Sequence, residues 1–144
     1  MLNEKQLHDQ LGNAALQHRK LAAKFAEMAK HVEAQVSAPH YPVPDIVTAL
    51  QLEQGVFSTT FAGRTLSFVF SSSLGTEGSL IGQVACYMKK DFPQPVQVAL
   101  GGFGFSASGQ TSRTVLPEHV PADMDTALGA SLITLHFIHT SLTQ

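Results

Sequence analysis

The stretch Val96–Ala107, VQVALGGFGFSA, decides how this chain folds. Strand-like residues lead into Gly102-Phe103-Gly104-Phe105-Ser106-Ala107, which spells G-x-G-x-x-A, a dinucleotide-binding fingerprint. That fingerprint works when a strand enters a tight turn and a helix comes next, its N-terminus receiving the pyrophosphate. The chain instead continues as SGQTSRTVLP, residues 108–117, with no 3.6-residue apolar period and an early proline. No βαβ unit comes later, and the acidic residues downstream, Asp123 and Asp125, stand where a helix is expected to start. The glycines therefore serve the backbone. Val96, Val98 and Leu100 share one strand face, but Phe103 and Phe105 have the opposite parity. One extra residue at Gly101-Gly102, a β-bulge, brings both aromatics back to the core face.

Upstream the same period of two recurs. Val56–Phe61 and Thr65–Ser71 flank Ala62-Gly63 as a hairpin, which places Phe57 opposite Phe68 and Thr59 opposite Leu66. Ser79–Lys90 reads as a strand with Leu80, Val84, Cys86 and Met88 on one side. Residues 46–53 alternate through Ile46, Thr48, Leu50 and Leu52, which favours strand, although Asp45 is placed to cap a short helix. A last strand falls in TSRTVL, and PEHVPADMD is read as breaking the sheet.

Before and after these strands the period is helical. Over residues 3–37, Leu7, Leu11, Ala14, His18, Leu21, Phe25, Met28, Val32 and Val36 recur in steps of four and three, a heptad-like seam. Asn3 and Gln6 form a capping box at its start. Residues 124–142 form a second helix, capped by Asp123 and apolar nearly all round. The fold class is thus α+β, because strands run together between helices instead of alternating with them. One domain is expected over residues 1–144: a long helix (1–38), a proline-rich linker (39–45), a five- or six-stranded antiparallel sheet (46–116), and a loop with a buried C-terminal helix (117–144).

With 144 residues, 44% hydrophobic and 14% charged, the chain can bury a real core. Its formal net charge of −2 and lack of a basic block argue against nucleic acid as a partner. No segment reaches the roughly 20 apolar residues of a membrane span, so no membrane role is expected. The polar N-terminus does not resemble a signal peptide, and the single cysteine favours a reducing, cytoplasmic setting.

Candidate chemistry is sparse. His136 and His139 share a helix face, but no acidic residue comes after Asp125, and the seam Leu128, Leu132, Leu135, His139, Leu142 assigns His139 to a core or interface. No metal or cofactor is expected. Cys86, on the apolar strand face, reads as structural. His40, Tyr41, Glu118 and His119 lie in proline-rich loops beside the helices, where functional side chains concentrate. No Walker loop, nucleophile elbow, CxxC or HExxH occurs.

The expected function is a small homodimeric binding module, an adaptor, chaperone-like or neutralising protein without catalytic apparatus. The alternative is a small-molecule-binding protein or small enzyme. Its Phe-lined pocket would lie between sheet and helix, with His40, Tyr41, Phe103, Phe105, His119 and His136 as ligand-binding residues. The dimer expectation rests on both helices, the second having apolar residues on too many faces for one contact and the first being longer than its own domain. About 34 residues span about 50 Å, longer than a compact domain of this size at roughly 35–40 Å. Leu21, Phe25, Met28 and Val32 are the expected interface residues.

Overall fold

The computed structural model describes residues 1–75, 78–114 and 121–144. Helix α1 (Glu4–Val36) is followed by strands β1 (Val47–Gln51), β2 (Val56–Phe61), β3 (Arg64–Leu74), β4 (Leu80–Lys90), β5 (Val96–Phe105), β6 (Gln110–Thr114) and β7 (Pro121–Asp123), then helix α2 (Ala127–Ser141). Each strand pairs antiparallel with the next, in the order β1 to β7. The class is α+β with a long N-terminal helix, as the pattern of periods requires. Both helices pack on one face of the sheet, because the buried residues of α1, α2 and alternate strand positions form one cluster.

The capping box is present. Asn3 Oδ1 accepts from the Gln6 amide at 2.8 Å, and Gln6 Oε1 accepts from the Asn3 amide at 3.0 Å. Two amides that a helix start leaves without partners are thereby satisfied. Residues 46–53 begin as strand β1 and end in a 3₁₀ turn at Leu52–Gln54.

The β2–β3 hairpin has the expected register, Phe57 opposite Phe68 and Thr59 opposite Leu66. The Phe57 and Phe68 rings stack with centroids 4.7 Å apart. Both turn residues have positive φ, 50° at Ala62 and 79° at Gly63, the conformation that matches the twist of the flanking strands.

The stretch Val96–Phe105 is a bulged strand. Cys86 pairs with Gly101 and Tyr87 with Ala99, so Leu100 is the extra residue. The bulge therefore sits at Leu100–Gly101, one position earlier than the spacing alone suggests. Gly101 takes φ 108°, which side chains rarely adopt. Beyond it Phe103 and Phe105 turn inward and are 5% and 3% exposed. Gly102 has a different constraint: a Cβ there would meet the carbonyl oxygen of Val84 on the neighbouring strand. No helix starts directly after Ala107, since Gln110–Thr114 returns as β6.

Three expectations are corrected. Pro121–Asp123 does not break the sheet; it adds a short seventh strand against β6. The cap of α2 is Thr126 rather than Asp123, its Oγ1 accepting from the Gly129 amide at 3.0 Å, so the helix begins at Ala127. Asp123 is held in β7 and cannot cap. Third, Leu21, Phe25, Met28 and Val32, expected at an interface, are at most 2% exposed within the single chain. Phe25 packs on Phe57 and Phe70, at 5.4 and 5.5 Å between centroids. The sheet of the same chain covers this part of the seam. The helix does overhang: from Glu4 to Lys20 only Ala14 and Gln17 are even half-buried.

Gly102→Ala is expected to lower stability by about 1–3 kcal/mol, because the intruding methyl meets backbone that cannot move aside. Gly104→Ala, whose Cβ would find its nearest neighbour at 3.6 Å, is the control and should cost distinctly less. Urea unfolding of both variants checks the difference.

Candidate functional site

The end of α1 and the proline-rich segment after it bring two of the candidate residues to α2. The Tyr41 amide donates to the Ala38 carbonyl at 3.1 Å, turning the chain back as it leaves the helix. The Tyr41 side chain then reaches across, its hydroxyl 2.7 Å from Ser131 Oγ on α2. Between them lies a groove of about 370 Å³, lined by Gln35, Ala38, His40, Tyr41 and Pro42 on one side. Leu128, Ser131, Leu132 and Leu135 form the other side. His40 is exposed at its rim and Tyr41 is half-buried. The start of α2 is tied to α1 by Lys24 Nζ, 3.0 Å from Asp125 Oδ2. That hydrogen bond and the Asp125 charge push the Lys24 ammonium above its ordinary pKa, against a smaller opposing effect of burial.

Helix α2 has two apolar faces. Ala130, Ile133, Phe137 and Ile138 face the sheet and are at most 4% exposed. At 100° per residue, Leu128, Leu132, Leu135, His139 and Leu142 fall within an arc of about 80° on the opposite side. Leu128 is 67% exposed and Leu142 46%, His139 is exposed, and Leu132 and Leu135 are half-buried. Ala127–Ser141 contains no Asp, Glu, Lys or Arg. The face that a helix turns to water is ordinarily charged and polar. Here it is a leucine stripe beside a groove.

The other candidates are not gathered there. Phe103 and Phe105 lie in the core, with Phe103 6.3 Å from Phe137 and Phe105 5.9 Å from Phe70 between centroids. Their rings pack against other side chains and are 5% and 3% exposed, whereas the expectation placed them in a ligand pocket. Gly82 faces Phe105 across the strands and leaves the room its ring occupies. His136 is half-buried, edge-on to Phe137 at 6.0 Å. His119 and Glu118 lie outside the described residues. Cys86 is 1% exposed on the core face of β4, where its parity places it. Among the described residues no three His, Cys, Asp or Glu side chains converge as a metal site would require. Also among the described residues, no helix is long and apolar enough to cross a membrane.

A second groove, about 500 Å³, runs between α1 and the end of the β3–β4 hairpin, bordered by Gln10, Leu11, Gln17, Leu74 and Leu80. Polar contacts tie its inner end. Gln17 Oε1 accepts from the Leu80 amide at 2.8 Å, and His18 Nδ1 lies 2.8 Å from Ser72 Oγ.

Comparison with known protein families, with curated proteins and with solved structures finds no match to this chain. The site therefore rests on its own geometry. Ser131 and Gln35, which help to form the groove, are residues that spacing does not single out. The outward stripe of α2, in contrast, is visible in the four-three steps of its leucines.

Ser131 is 7% exposed, so Tyr41→Phe leaves its hydroxyl without the Tyr41 partner. The expected loss is about 1 kcal/mol of stability. His40→Ala, on an exposed side chain, should stay within about 0.5 kcal/mol of wild type. Chemical denaturation of the two variants checks this.

Proposed function

We propose that the chain is a small homodimeric binding module of the cytoplasm, which acts by docking protein surface rather than by catalysis. The observation that carries this reading is the outward face of α2. Leu128, at 67% exposure, heads a leucine stripe on a helix with no charged residue. Contiguous apolar surface of this kind marks an interaction site when it is continuous and bordered by polar groups. The stripe is extended by the groove beside Tyr41 and bordered by His40 and Gln35. An adaptor, a dedicated chaperone or a neutralising partner would each use such a face.

The size of that groove favours a second reading, in which it holds a small molecule. At about 370 Å³ it falls in the ordinary range of ligand pockets, with the Tyr41 and Ser131 hydroxyls as its polar points. Leu132 and Leu135 then serve as an apolar floor.

Light scattering over a dilution series separates the two. A binding module that self-associates shows a mass rising from 15.4 kDa toward twice that value with concentration. Leu128→Asp, which sets an unpaired charge in the contact, should weaken association by at least about 100-fold. A constant 15.4 kDa together with a thermal shift of several degrees on one compound from a metabolite library would establish the small-molecule reading instead.

A further inference from the structure

We propose, resting on the homodimeric reading above, that two copies meet through α2. The helices cross antiparallel where Leu132 and Leu135 stand, and each copy's Leu128 lies toward the other's His139 and Leu142. The outward stripe runs Leu128, Leu132, Leu135, His139, Leu142, in steps of four, three, four and three. That is the spacing by which one helix lays a continuous seam along another. A sheet-covering helix needs only one apolar face, and α2 already has that in Ala130, Ile133, Phe137 and Ile138. Of the opposite stripe, Leu135 is packed partly against the core, whereas Leu128 and Leu142 stay exposed in the single chain.

The occupant is a second copy because the face is compatible with itself. A two-fold interface brings the same patch onto itself, so a charge near the axis meets its own like. Ala127–Ser141 carries none. A partner chosen by complementary charge would find none on this helix.

The antiparallel sense is set by the neighbours of α2. Its first half is flanked by the shoulder of Ala38, His40, Tyr41 and Pro42, whereas His139 and Leu142 at its other end are exposed. A parallel pair would bring the two shoulders together at one end. An antiparallel pair sets each shouldered end against the bare end of the other copy and seats the partner helix in the groove. It also opposes the two helix dipoles.

The surface is small. Fifteen residues of helix are about 22 Å long, and helix plus shoulder is about two helix diameters, or 20–24 Å, wide. The projected area is about 500 Å² per copy, near the roughly 600 Å² per partner at the lower end of stable interfaces. A dimer of modest affinity is expected. The overhang of α1 is the rival surface, through Leu7 and Leu11, but there Glu4, Lys5 and Asp9 are interspersed on the same turns.

The test uses single-cysteine substitutions in the full chain, since native Cys86 is 1% exposed and protected. Leu128→Cys and Leu142→Cys proteins, one carrying a mass tag, are mixed under mild oxidation. The cross between the two variants should be the main covalent product. Leu135→Cys, near the axis, should cross-link to itself. Like-with-like products from Leu128→Cys and from Leu142→Cys would show a parallel pair and overturn the geometry. A dimer by light scattering in which no α2 cysteine cross-links, or in which Leu11→Cys does so instead, overturns the surface while leaving the homodimer standing. A wild-type mass fixed at 15.4 kDa at high concentration removes the homodimeric reading itself, and this proposal with it.

Discussion

The packing of Phe25 against Phe57 and Phe70 is the contact on which the rest of the molecule depends. An antiparallel sheet with one apolar face must be covered, and seven strands present more face than one helix can hide. Helix α1 covers part of it through Leu21, Phe25, Met28 and Val32. Helix α2 covers the remainder, with Phe137 against Phe68 and Phe103. The two helices lie side by side on that face and are joined by Lys24 and Asp125. Burying each of these aromatic side chains contributes roughly 1.5–3 kcal/mol, so they outweigh any single polar contact on the surface.

This division of labour decides which apolar residues are left over. The seam of α1 is consumed inside the chain from Leu21 onward, while Glu4–Lys20 is mostly exposed, its later turns lying along the end of the β3–β4 hairpin. The second face of α2 touches the core through Leu135, and its exposed leucines, Leu128 and Leu142, are left over. Apolar surface therefore remains on both helices, on Leu7, Leu11 and Leu16 of α1 and on the stripe of α2, and that of α2 has no charged residue among it.

Much of the fold is legible in the residues. Alternation places Phe57 opposite Phe68, the parity switch between Leu100 and Phe103 requires a bulge, and Asn3 with Gln6 specifies the helix start. What is not legible is what covers a stripe. Leu21, Phe25, Met28 and Val32 have the same spacing whether a sheet or a second copy lies against them. In the same way, inward parity gives Phe103 and Phe105 a face but does not say whether that face opens on a cavity. The start of α2 offers Asp123, Asp125 and Thr126, all sound capping residues, and only the pairing of Asp123 with Gln110 in β7 removes the first. Of the candidate site, His40 and Tyr41 are found by their loop and the leucine stripe by its period. Ser131 is missed because one small hydroxyl in an apolar helix has no pattern of its own.

The order of the strands has a consequence for how the molecule assembles. Every strand hydrogen-bonds to its neighbour in sequence, so the loops that must close to build the sheet are short and cheap in entropy. The contacts of α1 are the exception. Lys24 meets Asp125 across 101 positions of chain. During synthesis α1 emerges before the strands, and its apolar stripe stays uncovered until the sheet beneath it has formed. The final closure waits for α2, so the slow and aggregation-prone interval of folding belongs to the helix made before the sheet.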